Sequence, residues 1–348
     1  MPGLTIIGSG HHVPGPAYTN DDLGRVMDTS DEWIRPRSGI AQRHFAEEGQ
    51  GVSALSVPAA RRAIESAGLE PSDIDYIIFG TMTPDYVLPG SGGLLGAELG
   101  ISGVPALDIR QQCAFFPFAV QIGDSLMSSG VAETILIVGA NAHAGFMPWD
   151  WEALRDGTPS DEEAYRFATS HRATAVLFGD GAGAVVCRPH AKRAEGHGLI
   201  GSLTRTDGSR HDHFFVPAGG FTHHRYWEVP VDERIPSMRG RELFKCAVQR
   251  LPAVVRELCD KHGVTLDDVD WFLAHQANDR INAAVVQALG VPTEKVPSNI
   301  ARFGNTSDAT IPILVDELRR DGTLEEGQLL CFLALGAGLN WGAALMRL

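Results

Sequence analysis

The chemistry of this sequence centres on Cys113, which lies where one apolar stretch ends and another begins. Residues 108–118 predict a buried strand that ends near Cys113 and continues as an apolar helix, which Pro117 suits as an early position and Gly130 closes. On the first turn of a helix, unpaired N–H groups and the helix dipole favour the thiolate. We therefore predict a nucleophilic Cys113. By residue type alone it could also be an inert core cysteine.

Two further polar side chains follow apolar stretches in a similar way. His275 stands at the end of a predicted strand that starts at Trp271, and Asn305 follows Gly304 in a turn before a predicted helix over residues 311–320. A lone histidine or asparagine is usually structural. A Cys, a His and an Asn placed where apolar strands end predict one common site.

Five short stretches resemble signatures of the β-ketoacyl-acyl-carrier-protein synthase III family of condensing enzymes. They are residues 33–40, 178–184, 275–278, 304–307 and 338–342. Each stretch alone is weakly specific, but together they occur in the expected order around the cysteine, and the resemblance covers essentially the whole chain. The resemblance implies an α/β, thiolase-like fold with five layers, and a homodimer.

The same resemblance implies a reaction in two steps. Cys113 would take an acyl group from an acyl-CoA, and a malonyl-thioester, carried by acyl carrier protein or by coenzyme A, would then lose carbon dioxide and attack the acyl group. Neutral donors on His275 and Asn305 would hold the enolate oxygen, and the backbone N–H groups of Cys113 and Ala337 would hold the acyl oxyanion. No metal or redox cofactor is required.

Two alternative functions remain open from the sequence. Acyl transfer from Cys113 to an alcohol or amine would use the same acyl-enzyme, although members that do this tend to alter the position of Asn305. A catalytically silent partner in a heteromer would be expected to have lost Cys113 or His275, and both are present.

The resemblance also implies residues that bind the carriers of the acyl groups. Those expected to hold coenzyme A are Trp33, Arg37, Arg172 and Asn278. Those expected to dock an acyl carrier protein are Lys245 and Arg280, with Arg250 added because it is near in sequence. Arginine suits the first group because its planar side chain can stack on a base or bind phosphate through two hydrogen bonds.

Leu88 and Phe115 are expected to shape the acyl pocket. Leu88 lies in a segment similar to the one that, in the family's dimer, reaches into the partner's pocket, where short-chain synthases often carry phenylalanine. A leucine leaves more room, so we predict an acyl primer longer than acetyl. Phe115, two residues after the nucleophile, would refill part of that room.

An internal repeat predicts two similar α/β halves. Gly68 and Asp75 recur as Gly263 and Asp270, 195 residues later in both cases, and each copy places an amphipathic helix, predicted over residues 54–67 and 252–261, before a short apolar strand. We assign the halves to residues 1–185 and 186–348, with the site where their matching corners meet.

Composition and charge exclude several classes of protein. The chain has 44% hydrophobic and 21% charged residues, as soluble globular proteins do, and it lacks an 18-residue apolar run or the features of a signal peptide. Five cysteines without a Cys-x-x-Cys pair argue against a disulfide framework, so we expect a cytoplasmic protein. A net charge of −14 without a basic stripe argues against nucleic acid as a partner.

Two segments allow more than one interpretation. Residues 141–170, between strands predicted over 134–138 and 174–178, carry two tryptophans and predict either a flap at the substrate entrance or a surface loop whose aromatic residues pack locally. His211, His213 and the pair His223 and His224 could ligate a metal. Adjacent histidines point in divergent directions in an extended chain, so we predict no metal site.

Overall fold

The computed structural model describes residues 3–191, 195–218, 220–222 and 225–348. The strands are β1 (Leu4–His12), β2 (Ala17–Thr19), β3 (Gln42–His44), β4 (Tyr76–Gly80), β5 (Ala106–Ile109), β6 (Ile135–Asn141), β7 (Gly181–Pro189), β8 (Gly198–Thr206), β9 (Phe214–Phe215), β10 (Ser237–Met238), β11 (Trp271–Ala274), β12 (Leu329–Gly336) and β13 (Asn340–Arg347). The helices are α1 (Asn20–Leu23), α2 (Asp31–Ser38), α3 (Val52–Ser66), α4 (Ser91–Leu99), α5 (Phe115–Ser128), α6 (Trp151–Asp156), α7 (Glu162–Ala175), α8 (Gly240–His262), α9 (Asp279–Leu289), α10 (Ile300–Phe303) and α11 (Thr310–Arg320).

Two mixed sheets of matching topology form the framework. The first has the order β1-β7-β6-β4-β5, in which β4 runs parallel to β5 and β6 while β7 is antiparallel to its two neighbours. The second has the order β11-β12-β13-β8, with β11 parallel to β12 and the remaining pairs antiparallel. Strands β8, β13, β12 and β11 repeat the arrangement of β1, β7, β6 and β4. The two similar halves predicted from the repeat are therefore confirmed.

Helices cover both faces of each sheet, which gives five layers. Helix α3 packs on β1 and β7, helices α5 and α11 lie between the two sheets, and α8 packs on β12 and β13. Every residue of β6 is buried, as expected for a strand covered on both faces. Glycines allow the closest contacts: a Cβ on Gly8 would lie 2.2 Å from the carbonyl oxygen of Ala63 in α3. This confirms the predicted thiolase-like arrangement.

Three boundaries differ from the sequence predictions. The boundary after residue 185 lies inside β7, and the halves are better divided after Pro189, where that strand ends. The helix α8 begins at Gly240 rather than near Pro252, which lies within it. The strand predicted over 174–178 is wrong: α7, capped by the carboxylate of Asp161, continues through Ala175 because its alanines pack into the core.

The segment 141–170 is largely helical rather than a long loop. It contains α6 and the first part of α7. Its two tryptophans pack locally, since the ring centroids of Trp149 and Trp151 lie 5.4 and 5.1 Å from that of Phe45. Trp151 also lines a cavity near the candidate site, so both interpretations of this segment find support. No helix in the described ranges is long and apolar enough to cross a membrane.

Candidate active site

Cys113 lies at the corner between the first sheet and the central helices, as predicted. Strand β5 ends at Ile109, a 3-10 turn spans Gln112–Ala114, and α5 follows directly. The end of β12 in the other half packs against this corner, because a Cβ on Gly336 would lie 2.8 Å from the backbone nitrogens of both Cys113 and Ala114. Only a glycine fits at this contact. The two halves of the chain therefore meet at the backbone of Cys113.

The resting form of Cys113 is the thiol, contrary to the prediction of a favoured thiolate. Burial, together with the nearby Asp308 carboxylate, raises the pKa of the Cys113 thiol to about 12, against the hydrogen bond with Ser307, which lowers it. The side chain is only 6% exposed. Desolvation of the sulfur thus outweighs the helix terminus, and the Ser307 hydroxyl that contacts the buried sulfur lies 194 positions later in the chain.

Ser307 connects the three residues predicted to form the site. Its Oγ lies 3.2 Å from the sulfur of Cys113, and its N–H donates to Oδ1 of Asn305 at 2.8 Å. Its carbonyl accepts a hydrogen bond from Thr310 at 3.0 Å, and the same Thr310 hydroxyl lies 2.7 Å from Nδ1 of His275. Cys113, His275 and Asn305 are therefore brought together around one residue. Ser307 has a φ of +52°, a conformation that is unusual outside glycine.

His275 is buried and neutral at the end of β11. Burial lowers its pKa to about 3, so the imidazole carries no charge near neutral pH. Its Nε2 atom is buried without a hydrogen-bond partner in the described part of the chain. Nδ1 and the carbonyl of Ser307 compete for the single hydroxyl proton of Thr310. When that proton points to Nδ1, Nε2 carries the hydrogen and can donate it to a substrate oxygen.

Asn305 is held by backbone contacts to the segment before β7. Its N–H donates to Leu177 at 2.8 Å, and its carbonyl accepts from Gly179 at 3.2 Å. The fully buried Arg43 supports this contact through a hydrogen bond of 2.9 Å to the carbonyl of Val176. Because Oδ1 already accepts from Ser307, the Nδ2 hydrogens of Asn305 are left for another acceptor.

The four residues expected to bind coenzyme A lie together. The guanidinium carbons of Arg37 and Arg172 are each 4.8 Å from the ring centroid of Trp33. Nδ2 of Asn278 donates to the carbonyl of Arg37 at 2.9 Å and so joins α2 to the start of α9. Arg172 also pairs with Asp28 at 2.8 Å. The arrangement presents an indole and two cations to one region of the surface.

The three cations expected to dock a carrier protein do not share one environment. Lys245 and Arg280 are exposed on α8 and α9, which pack against each other. Arg250 is largely buried, pairs with Asp207 at 2.7 Å and stacks 4.1 Å from the ring of Trp341. Arg250 therefore already has partners within the chain, and its role in docking stays a prediction.

A cavity of about 1450 Å³ opens beside the nucleophile. Gln112 and Ala337, which flank the Cys113 corner, line it, and so does Met82, whose sulfur lies 3.2 Å from the Ser307 hydroxyl oxygen. Its wall is rich in aromatic residues and includes Tyr18, Phe45, Tyr86, Phe146, Trp151 and Phe214. Its size and apolar wall suit an acyl chain or a ring.

The two residues expected in the acyl pocket differ in their positions. Phe115 is fully buried against Gly80, where a Cβ would lie 2.2 Å from the phenyl ring, and it does not line the cavity. The prediction for Phe115 is therefore wrong, since its side chain fills the core beneath the corner. Leu88 is 79% exposed and follows Tyr86 and Val87, which line the cavity.

Metal ligation finds no support among the described residues. They contain no group of three or more His, Cys, Asp or Glu side chains that could hold an ion. His211 is exposed and near the cavity, whereas His213 is buried. His223 and His224 lie outside the described residues.

Family models and known relatives indicate the same family for this chain. The family model described as 3-oxoacyl-[acyl-carrier-protein] synthase III matches residues 107–208, and the model of its C-terminal part matches residues 259–348. The β-ketoacyl-[acyl-carrier-protein] synthase III of Erythrobacter litoralis is 37% identical over 342 residues, which are 98% of each chain. The chain belongs to the β-ketoacyl-acyl-carrier-protein synthase III family. The synthase III 3 of Streptomyces coelicolor is 41% identical over 97% of this chain and 95% of its own.

Solved structures of synthase III proteins have the same fold. The enzyme of Aquifex aeolicus superposes with a TM-score of 0.85 at 36% identity and covers 99% of this chain and 100% of its own. A priming β-ketosynthase of the R1128 polyketide pathway gives a TM-score of 0.86 at 28% identity, over 100% and 96% of the two chains. Both comparisons span the two halves, so the synthase III fold extends over the whole chain.

Several residues at this synthase III site were not assigned from the sequence. They are Met82, Gln112, Asn141, Thr310 and Asp308. Asp308 could have been recognised from the sequence, because it is an acidic residue three positions after Asn305 in a run of small residues. The others have ordinary types in ordinary sequence surroundings. Only the tertiary contacts identify them.

Proposed function

We propose that the chain joins an acyl primer from an acyl-CoA to a malonyl-thioester by decarboxylative condensation, as a β-ketoacyl synthase and acyltransferase. The observation that carries this proposal is the convergence of Cys113, His275 and Asn305 on Ser307. A nucleophile and two neutral donors suit a reaction that forms an acyl-enzyme first and an enolate afterwards. Synthase III membership supports the same reaction.

In the first step, the sulfur of Cys113 attacks the acyl-CoA carbonyl. A carbon–sulfur bond forms, the bond to coenzyme A breaks, and the thiol proton leaves with the coenzyme A sulfur. We assign the oxyanion to the backbone N–H groups of Cys113 and Ala337. The contact of Gly336 with Cys113 supports this assignment, because it places the end of β12 directly beside the nucleophile.

In the second step, a malonyl-thioester loses carbon dioxide and leaves an enolate. Nε2–H of His275 and Nδ2–H of Asn305 would donate to its oxygen in a dry site. Neutral donors are needed because a charged imidazolium would cost more to bury. The carbanion attacks the acyl-Cys113 carbonyl, a carbon–carbon bond forms and the bond from that carbonyl to sulfur breaks. The Cys113 thiolate that leaves takes a proton from solvent once the product has departed.

We expect the Trp33→Ala variant to raise KM for acyl-CoA about 10-fold. The reason is that Trp33 orders the two guanidinium groups, and each contact of this type contributes about 0.5 to 1 kcal/mol. The measurement compares acyl-CoA with an acyl-N-acetylcysteamine, which lacks the nucleotide. Trp227→Ala, at another exposed tryptophan, is the matched control. An equal loss with both substrates would show that Trp33 does not act through the nucleotide.

We further propose a homodimer in which Leu88 of one copy reaches the acyl pocket of the other, with a primer longer than acetyl. Residues Tyr86, Val87 and Leu88 are 61%, 61% and 79% exposed, which is unusual for three consecutive apolar side chains on one surface. The extender would arrive on acyl carrier protein or coenzyme A, and the exposed cations Lys245 and Arg280 could dock the former.

The Leu88→Phe variant tests this pocket. We expect wild-type kcat/KM to rise about fourfold per methylene until the pocket is full, because each buried methylene contributes about 0.8 kcal/mol. In the variant the preference should move to shorter chains. The measurement is kcat/KM for acetyl-, butyryl-, hexanoyl- and octanoyl-CoA, with Val131→Phe as the control at another exposed site. A wild type that prefers acetyl would contradict the prediction.

One incubation separates the proposed function from its alternatives. The protein is mixed with an acyl-CoA, with and without a malonyl-thioester, and carbon dioxide and β-ketoacyl product are measured. Condensation predicts both products only when primer and extender are present together. Acyl loss to an added alcohol or amine without carbon dioxide would support acyl transfer, and no acyl-enzyme at all would support a silent partner.

A further inference from the structure

We propose that the buried carboxylate of Asp308, acting through the hydroxyl of Ser307, accepts the thiol proton of Cys113 as Cys113 attacks an acyl-thioester. The inference deepens the proposed function and rests on it. Ser307 touches the reacting sulfur, and Asp308 is the positioning residue that orients the Ser307 hydroxyl and receives its proton.

A continuous hydrogen-bonded path connects the sulfur to the carboxylate. Sγ of Cys113 lies 3.2 Å from Oγ of Ser307, and that oxygen lies 3.1 Å from Oδ2 of Asp308. An ionised carboxylate can only accept, so Ser307 donates to Asp308 and its lone pair faces the thiol hydrogen. The Ser307 hydroxyl also lies 3.2 Å from the sulfur of Met82, a much weaker acceptor. The geometry thus orders the path from thiol to hydroxyl to carboxylate.

Asp308 is held in a site that excludes water. It is 2% exposed, and its Oδ2 also accepts from Nδ2 of Asn141 at 2.9 Å. Its Oδ1 atom is buried without a hydrogen-bond partner among the described residues. Strand β6 packs directly on its backbone, since a Cβ on Gly139 would lie 2.2 Å from the Asp308 carbonyl oxygen. A buried carboxylate with an unsatisfied oxygen is costly for stability alone.

The titratable groups that face Asp308 in the described part of the chain are a thiol and an imidazole, and the imidazole of His143 lowers the Asp308 pKa. Cys113 faces it from the corner before α5, and His143 faces it from the turn after β6. His143 donates from Nδ1 to the carbonyl of Gly179 at 2.9 Å and has Asp180 beyond it. No arginine or lysine of the described chain pairs with Asp308. An ion pair with arginine or lysine therefore does not account for the buried charge.

The site also needs a proton acceptor. Because the thiol pKa of Cys113 lies at about 12, the sulfur cannot attack as a resting thiolate near neutral pH. Burial raises the pKa of Asp308 to about 6, against the hydrogen bonds from Asn141 and Ser307. Above this pKa the carboxylate is ionised and can accept a proton, and a matched acceptor of this kind typically contributes about 100- to 10,000-fold in rate.

The proton transfers balance over the acylation step. As the bond between Sγ and the acyl carbon forms, the thiol proton passes to Ser307 and the Ser307 proton passes to Asp308. When the bond between the acyl carbon and the coenzyme A sulfur breaks, the same path returns the proton, and the coenzyme A thiolate takes it. Asp308 and Ser307 end the step in their starting forms, and no further reactant is needed.

The Asp308→Asn variant tests the inference by the rate at which iodoacetamide alkylates Cys113 and the rate at which acyl-CoA acylates it. We expect both rates at pH 7.5 to fall about 100-fold. In the wild type both should rise as pH increases through about 6, and this rise should be absent in the variant. If Asp308 only repels the thiolate, its removal would instead speed alkylation. Faster or unchanged alkylation with the wild-type pH profile would overturn the proposal.

Two further variants separate this role from damage to the fold. Ser307→Gly removes the hydroxyl where φ is +52°, so the backbone conformation is retained without strain. Its alkylation and acylation rates should fall by about the same factor as those of Asp308→Asn. The double variant Ser307→Gly, Asp308→Asn should be no slower than either single variant, because both act on one path. Losses that add in the double variant would contradict a shared path. Asp316→Asn, at another buried carboxylate on α11, should keep the wild-type pH profile.

Alkylation distinguishes failure of this inference from failure of the proposed function. It requires neither acyl-CoA nor a malonyl-thioester. If the wild type alkylates with the expected pH profile but forms no β-ketoacyl product, the proton path stands and the condensation fails. If the wild type condenses while Asp308→Asn alkylates normally, the path fails and the proposed function stands.

Discussion

The Cys113→Ser variant is expected to gain no acyl mass from an acyl-CoA, with a loss of rate of at least about 1,000-fold. A hydroxyl is much harder to deprotonate than a thiol, and the site already raises the pKa of the Cys113 thiol to about 12. The hydroxyl would also keep the contact with Ser307, so the fold at the corner should persist. Intact-protein mass after mixing with acyl-CoA measures the result.

Cys187→Ala is the matched control for this experiment. Cys187 is a second buried cysteine in β7, and its thiol pKa is also raised by burial. Its replacement should leave the acyl mass in place. A serine variant at position 113 that gains the acyl mass at the wild-type rate would show that another residue is the nucleophile.

The His275→Ala and Asn305→Ala variants are expected to block decarboxylation of the malonyl-thioester while sparing acylation of Cys113. Each removes one donor to the enolate oxygen, and the loss of such a donor commonly costs about 100- to 1,000-fold in rate. Neither side chain lies on the path from Cys113 to Asp308, so acylation should change by no more than about threefold. Carbon dioxide release and intact-protein mass measure the two steps separately.

Asn299→Ala provides a control for the pair. Asn299 is a buried asparagine near the same turn, where it bonds Glu317 at 2.7 Å and lies outside the site. Its replacement should leave carbon dioxide release close to that of the wild type. Normal decarboxylation by both His275→Ala and Asn305→Ala, with slowed acylation, would reverse their assignment to the second step.

The sequence predicted where Cys113 and His275 lie because each follows an apolar strand, and it placed Asn305 in the turn before α11. The corner at Cys113 and the turn at Asn305 meet through Ser307, which contacts the sulfur of Cys113 and donates its N–H to Asn305. The cluster of Trp33, Arg37, Arg172 and Asn278 was also expected from the resemblance, and the structure brings its members together. The order of strands and turns along the sequence, the internal repeat and the family resemblance were sufficient to predict where these residues lie.

The properties that depend on distant neighbours could not be predicted in this way. Burial raises the pKa of the Cys113 thiol, and the Asp308 carboxylate, which also raises it, lies almost 200 positions later in the chain, so a helix terminus alone gave the wrong direction. Phe115 was expected to line the acyl pocket, but its ring packs in the core against Gly80, which has no side chain to exclude it. Arg250 was expected to dock a carrier protein, but its guanidinium group pairs with Asp207 and stacks on the ring of Trp341.

The central claim, condensation through acyl-Cys113, is tested most directly by a single-turnover chase. The protein is loaded with butyryl-CoA, freed of excess primer and mixed with a malonyl-thioester labelled in its free carboxyl group. The mass of Cys113, labelled carbon dioxide and product are followed together. We predict that the butyryl mass leaves Cys113 as one β-ketoacyl product and one labelled carbon dioxide appear, at one rate. A butyryl mass that persists on Cys113, or leaves without labelled carbon dioxide, would contradict the account.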